Sequence, residues 1–231
     1  MKLATTTVGS GPKTAALVHG LSGDSGTWFE FAPWLASLGY TVTLVDQRGH
    51  GASDRAESYL AEDLADDLVD TLPVGMDVVM GHSLGGRALI LAAERLRPGR
   101  AVYLDPGWNV PPEMEFALPL DADGRLASVD DLAAVLPEYS REHIVNSRRS
   151  LELFDPVWFE APNPVLPDQE PSVPPVVPSL VVLADPPKAL RADVVERLRA
   201  GGYEIVTVPG GHHDLHIVNL EATKQALDGW V

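Results

Sequence analysis

Residues 81–85 read Gly81-His82-Ser83-Leu84-Gly85, a G-x-S-x-G pentapeptide set between two different kinds of segment. An apolar run, Val78-Val79-Met80, precedes it, and a helix-like segment, Arg87 to Leu96, follows. A strand, a serine between glycines and a helix form the context of a nucleophile elbow. The turn is tight, and Gly81 and Gly85 lack the Cβ that would hold strand and helix apart. The serine is predicted to be strained, with its hydroxyl lifted clear of the backbone at a helix N-terminus. There the helix dipole favours developing negative charge.

The segments around this turn alternate. Ala15 to His19 is a short apolar run ending in a glycine turn. Trp28, Phe31, Leu35 and Leu38 recur at helical spacing, with Gly39 as the stop. Thr41 to Val45 is β-branched and ends at Asp46. Leu60, Leu64, Leu68 and Leu72 then mark one helix face, and the acids between them read as a solvated outer face. After the elbow helix, Ala101 to Leu104 reads as a buried strand ending at Asp105. The alternation resumes at Leu180–Ala184, a strand, followed by a helix over 192–198, a strand over 203–208 and a last helix over 221–230. Strands alternating with helices imply parallel strands joined by crossovers. Residues 107–178 break the pattern. Two helices are expected there, near 129–136 and 141–153, with Ser128 and Ser140 as N-caps. Pro156 to Pro178 holds eight prolines, which excludes regular helix or sheet over that stretch. The region is predicted to be an insertion covering one end of the sheet.

Composition narrows the function. The chain has 231 residues, 33 acidic against 17 basic, and a net charge of −16. Such a surface repels nucleic acid and, more weakly, anionic membranes. There is no cysteine, so disulfides, thiolate metal sites and a cysteine nucleophile are excluded. No run approaches a membrane span, and the N-terminal residues lack the apolar core of a signal peptide. A cytoplasmic monomer or homodimer acting on a small molecule, without a cofactor or metal, is the expectation.

Serine needs a base to activate it, a group to orient that base, and donors for the oxyanion formed on attack. These belong on loops at the carboxyl ends of parallel strands. His213, in the segment Pro209 to His216 after the last strand, is the candidate base, with His212 and His216 beside it. Three clustered histidines also permit a metal site, although no acidic ligand stands out nearby. The Leu84 N–H is one candidate oxyanion donor, and the Leu21 N–H, after His19-Gly20, is the other. His19 itself reads as structural. Asp105 and Asp185 both close strands and compete for the role of acid. Asp46 precedes the elbow and reads as a tie for the loop 47–54.

Taken together, these segments resemble the α/β-hydrolase superfamily. The resemblance rests on His19-Gly20 with Trp28 behind it, Asp46 to Ser53, the elbow, Leu104-Asp105-Pro106 and Pro209 to His216, in the family's order. It implies a mostly parallel eight-stranded sheet flanked by helices, with a core of residues 1–106 and 179–231. A small lid over 107–178 would follow the sixth strand. It also implies a triad in which Ser83 is the nucleophile and His213 the base. The family's usual acid position falls in Ala184 to Lys188, where proline stands at the expected site, so the resemblance favours Asp105 over Asp185. The family's dehalogenases and epoxide hydrolases use aspartate where this chain has Ser83. The reaction so implied is hydrolysis of an ester or lactone, with other chemistry of the same fold, or ligand binding without turnover, as alternatives. Trp28, Trp108, Phe154 and Trp158 are candidate substrate contacts, which points to a small apolar molecule.

Overall fold

The computed structural model describes residues 1–110, 117–159, 169, 171–187 and 190–231. Seven strands form one sheet: β1 (Thr5–Val8), β2 (Lys13–Val18), β3 (Tyr40–Val45), β4 (Val78–His82), β5 (Arg100–Leu104), β6 (Ser179–Ala184) and β7 (Glu204–Val208). Their order across the sheet is β1-β3-β2-β4-β5-β6-β7. All neighbours are parallel except β1, which pairs antiparallel with β3 at the edge. Among the described residues the sheet therefore has seven strands, one fewer than expected, and the insertion follows the fifth. β1 has no counterpart among the strands expected from sequence. Its residues, Thr-Thr-Thr-Val, are largely exposed and carry no alternation of apolar and polar positions.

The central strands are buried on both faces, as a parallel sheet covered by helices requires. Alternate residues of each strand enter two separate cores. Ala16, Val18, Val79, Tyr103 and Val181 face one way, toward α2 (Ala61–Thr71), α3 (Leu84–Leu96) and α6 (Ala192–Ala200). Ala15, Leu17, Met80, Val102 and Val182 face the other, toward α1 (Phe31–Ser37) and the C-terminal helices α7 (Leu215–Val218) and α8 (Leu220–Ala226). α2 buries Leu64 and Leu68 and turns its acids outward, apart from Asp67. Asp67 is buried because it holds the Arg48 guanidinium through two bonds, 2.6 Å to Nε and 2.9 Å to Nη2.

Between β5 and β6 the chain forms α4 (Val129–Val135), α5 (Arg141–Leu153) and a 3₁₀ turn at Pro156–Phe159. Ser128 and Ser140 cap α4 and α5, accepting the backbone N–H groups of Asp131 at 3.1 Å and His143 at 3.2 Å. Part of the proline-rich stretch, 160–168 and 170, lies outside the described residues. The insertion is tied to the core at both sides. Arg149 donates to the buried Asp24 at 2.8 Å, and the Tyr59 hydroxyl donates to Asp155 at 2.5 Å. Among the described residues no helix is long and apolar enough to cross a membrane.

Candidate active site

Parallel strands place their carboxyl ends on one edge of the sheet, and four loops meet there. The turn after β4 carries Ser83 at φ 48° and ψ −112°, a conformation that L-residues avoid. Packing enforces it. A Cβ on Gly81 would lie 2.5 Å from the Gly85 carbonyl group, and one on Gly85 would lie 2.3 Å from the Val18 carbonyl oxygen. Only glycine permits helix α3 to start this close to β2 and β4. Leu84 opens α3, so its N–H is among those with no partner inside the helix. Leu21, beyond β2, borders the same space.

The histidine and the acid come from the loops after β7 and β5. His213 Nδ1–H donates to Asp105 Oδ2 at 2.6 Å. Asp105 is fully buried, and its other oxygen accepts the Ala184 N–H at 3.3 Å. This carboxylate is held between the end of β6 and the loop that follows β7. Asp185, by contrast, is exposed just beyond the end of β6. The geometry thus brings Asp105, not Asp185, to the histidine.

His82, inside the elbow, is a participant that the sequence pattern does not single out. Its Nε2–H donates to the His213 carbonyl oxygen at 3.1 Å, and its ring packs at a tilt against His213 and His216 with centroids 4.8 and 4.7 Å apart. Burial lowers its pKa from the usual 6.5 to about 4, with the charge of His213 acting in the same direction. His216 is likewise pushed well below its usual value by burial, and it lies against Trp28 at 4.0 Å. Among the described residues no group of three histidine or carboxylate donors is placed to hold a metal ion. His19 is buried and structural, accepting the Gln47 N–H at Nε2 at 3.0 Å. Asp46 ties its loop as expected, accepting the N–H groups of Ser25 at 2.6 Å and Ala52 at 2.9 Å.

A cavity of about 430 Å³ opens above Ser83. That lies in the ordinary range for a small-molecule site. Ser83, His213 and Asp214 line its floor, and Leu132, Leu136 and Leu151 of the insertion line its roof. The four aromatic candidates do not line it. Trp28, Trp108 and Trp158 are completely buried and Phe154 nearly so. Trp28 packs beneath the site, and the other three join the α2–α3 core, Trp108 donating to the Gly86 carbonyl at 3.2 Å. Large rings gain more from full burial than from a cavity wall, so proximity along the chain misleads here. Phe159, at the end of the 3₁₀ turn, does reach the cavity, joined there by Tyr139 between α4 and α5.

Asp214 is the second residue of the site that the sequence pattern does not single out. Burial alone would raise its pKa, but a hydrogen bond with His212 and the neighbouring His82 and His213 hold the carboxyl well below its usual range. The Tyr139 hydroxyl also hydrogen-bonds to it. A polar residue after the histidine is visible in the sequence, but its lid partner, 75 positions away in the chain, is not.

The chain resembles known proteins at three levels. A 93-residue stretch is 42% identical to the 2-(acetamidomethylene)succinate hydrolase of Mesorhizobium japonicum, covering 38% of this chain and 32% of that protein. The match thus spans about a third of the relative's length. Among solved structures, a marine microorganism esterase superposes with a TM-score of 0.74 at 19% identity, over 100% of this chain and 99% of that one. An N-acyl homoserine lactone degrading enzyme gives 0.74 at 21% identity, over 99% and 96%. At such identities the likeness establishes the fold. The model of the alpha/beta hydrolase family matches residues 16–226, from β2 to the last helix, and with this coverage the chain belongs to that family.

Proposed function

We propose that the protein is a serine hydrolase that cleaves a carboxylic ester or lactone of a small, largely apolar molecule through an acyl-enzyme on Ser83. Ser83 attacks the carbonyl carbon while His213 Nε2 takes its proton. The oxyanion is received by the Leu21 and Leu84 amides. His213 returns the proton to the leaving alcohol, and a water molecule repeats the sequence to release the acid. Asp105 keeps the imidazole in the tautomer with Nδ1 protonated, leaving Nε2 free to accept. The observation that carries this reading is the 2.6 Å bond from His213 to the buried Asp105, below a cavity that Ser83 also lines.

The test is intact-mass analysis after treatment with a fluorophosphonate. One adduct on the wild type and none on folded Ser83→Ala is the expected result. No adduct on the folded wild type would reject an activated serine. Amide cleavage is the second reading, favoured by the Mesorhizobium relative, which is named for hydrolysing an acetamido compound. It uses the same residues, and matched ester and amide substrates separate the two.

A further inference from the structure

The cavity has an unusual charge balance. Among the described residues that line it there is no lysine or arginine, while the Asp214 carboxylate is part of its wall. The insertion above it has four arginines, and each is ion-paired. Arg125 pairs with Asp123 at 3.5 Å, Arg141 with Asp130 at 2.7 Å, Arg148 with Glu152 at 2.9 Å and Arg149 with Asp24 at 2.8 Å. None of the four lines the cavity. Of the residues outside the described set, Lys188 alone is cationic, and five are acids.

The groups that face Asp214 are His82, His212, His213 and Tyr139, none of them a lysine or arginine. His82 Nε2 lies 3.7 Å from Oδ1 and His212 Nδ1 lies 3.4 Å from Oδ2. His82 is held neutral by burial, and Tyr139 contributes a neutral hydroxyl. Hydrogen bonds stabilise the carboxylate without cancelling its charge. Side-chain exposure of 24% leaves Asp214 reachable from the cavity it lines.

We propose that Asp214 makes this pocket charge-selective, so that it accepts uncharged esters and rejects substrates that carry a carboxylate. The proposal rests on the acyl-transfer reading of the same site. A carboxylate bound in the cavity would meet Asp214 across a few ångströms of partly dry space, with no lysine or arginine in the described lining to offset it. Coulomb repulsion at that separation corresponds to a selectivity of about a hundredfold.

The experiment compares three p-nitrophenyl esters of similar acyl length: the butyrate, the hemisuccinate and the 4-(trimethylammonio)butyrate. Wild type and Asp214→Asn are assayed, with Ser83→Ala as the blank. The expected wild-type kcat/KM for butyrate exceeds that for hemisuccinate by about a hundredfold. In folded Asp214→Asn the gap narrows to about tenfold or less. Equal rates for the two esters in the wild type would overturn the proposal and leave acyl transfer standing. So would a ratio unchanged in the folded variant. If Asp214→Asn does not fold, the ammonium ester decides. A preference for it over hemisuccinate supports a fixed negative charge, whereas equal rejection of both ions assigns the selectivity to the apolar lining and overturns the role of Asp214. No turnover of any ester, with Ser83 unmodified by fluorophosphonate, would remove the acyl-transfer reading and this proposal together.

Discussion

Asp105 and Ser83 both sit at positive φ, 38° and 48°, and the two strained residues support different predictions. Aspartate and asparagine tolerate positive φ better than other residues with a side chain. Asp105→Asn should therefore fold, while presenting an amide that holds the imidazole in the wrong tautomer. Its kcat on a p-nitrophenyl ester is expected to fall by about 10³–10⁴-fold. Asp185→Asn, at an exposed position past the end of β6, should turn over at the wild-type rate. The reverse ranking would move the acid to Asp185. At Ser83 the strain costs about 1–3 kcal/mol, and glycine would remove it. Added freedom in the unfolded chain takes back about 0.5–1 kcal/mol. Strain relief outweighs that loss, so Ser83→Gly should be inactive yet about 1 kcal/mol more stable in thermal unfolding. A lower melting temperature than wild type would mean that the turn is not strained as its dihedrals indicate.

At the scale of elements, the contact between α3 and β2 is the least tolerant point of the fold. Gly85 faces the Val18 and His19 carbonyl oxygens, and an added Cβ would lie 2.3 and 2.6 Å from them. Backbone cannot swing aside as a side chain can, so Gly85→Ala must move α3 bodily. Urea denaturation is expected to show a loss of at least about 3 kcal/mol, the upper end of ordinary overpacking. A near-neutral Gly85→Ala would show that the helix has room to slide. The same packing explains what the sequence could reveal. β4, β6 and the inner residues of β2 and β5 are continuous apolar runs because both sheet faces are covered there, and the leucine spacing of α2 marks a single buried stripe. Ser128 and Ser140 are local caps, readable without any tertiary knowledge. β1 was not readable, since an exposed edge strand of three threonines and a valine is specified by its pairing with β3. The contest between Asp105 and Asp185 was also beyond the sequence. Both end strands, and what separates them is burial and the reach of the His213 loop. Tyr139 meets Asp214 across the lid, a contact with no periodicity to announce it.

Over the whole molecule, buried neutral histidines make stability depend on pH. His50 is buried, with Nδ1 bonded to the Arg48 carbonyl at 2.8 Å and Nε2 accepting the Ser22 N–H at 3.2 Å. Burial, with His19 adding in the same sense, lowers its pKa from 6.5 to about 3. His82 is lowered to about 4. In the unfolded chain both return to about 6.5. Between the two sets of values the unfolded state binds more protons than the folded state, so stability rises with pH and is lost on acidification. From pH 7 to pH 5 each histidine should cost about 2 kcal/mol, or about 4 kcal/mol together. An opposing effect exists, because the net charge of −16 shrinks as pH approaches the isoelectric point near 4.6. That repulsion is spread over exposed, salt-screened carboxylates and is the weaker of the two effects. The expected result is a urea midpoint that falls steadily from pH 7 to pH 5. His50→Gln should lower stability at pH 7, because it breaks two buried hydrogen bonds, and should make the pH slope shallower by about 1.4 kcal/mol per unit, the contribution of one proton. A midpoint that rises toward the isoelectric point would show that surface repulsion, not histidine burial, governs the acid response of this fold.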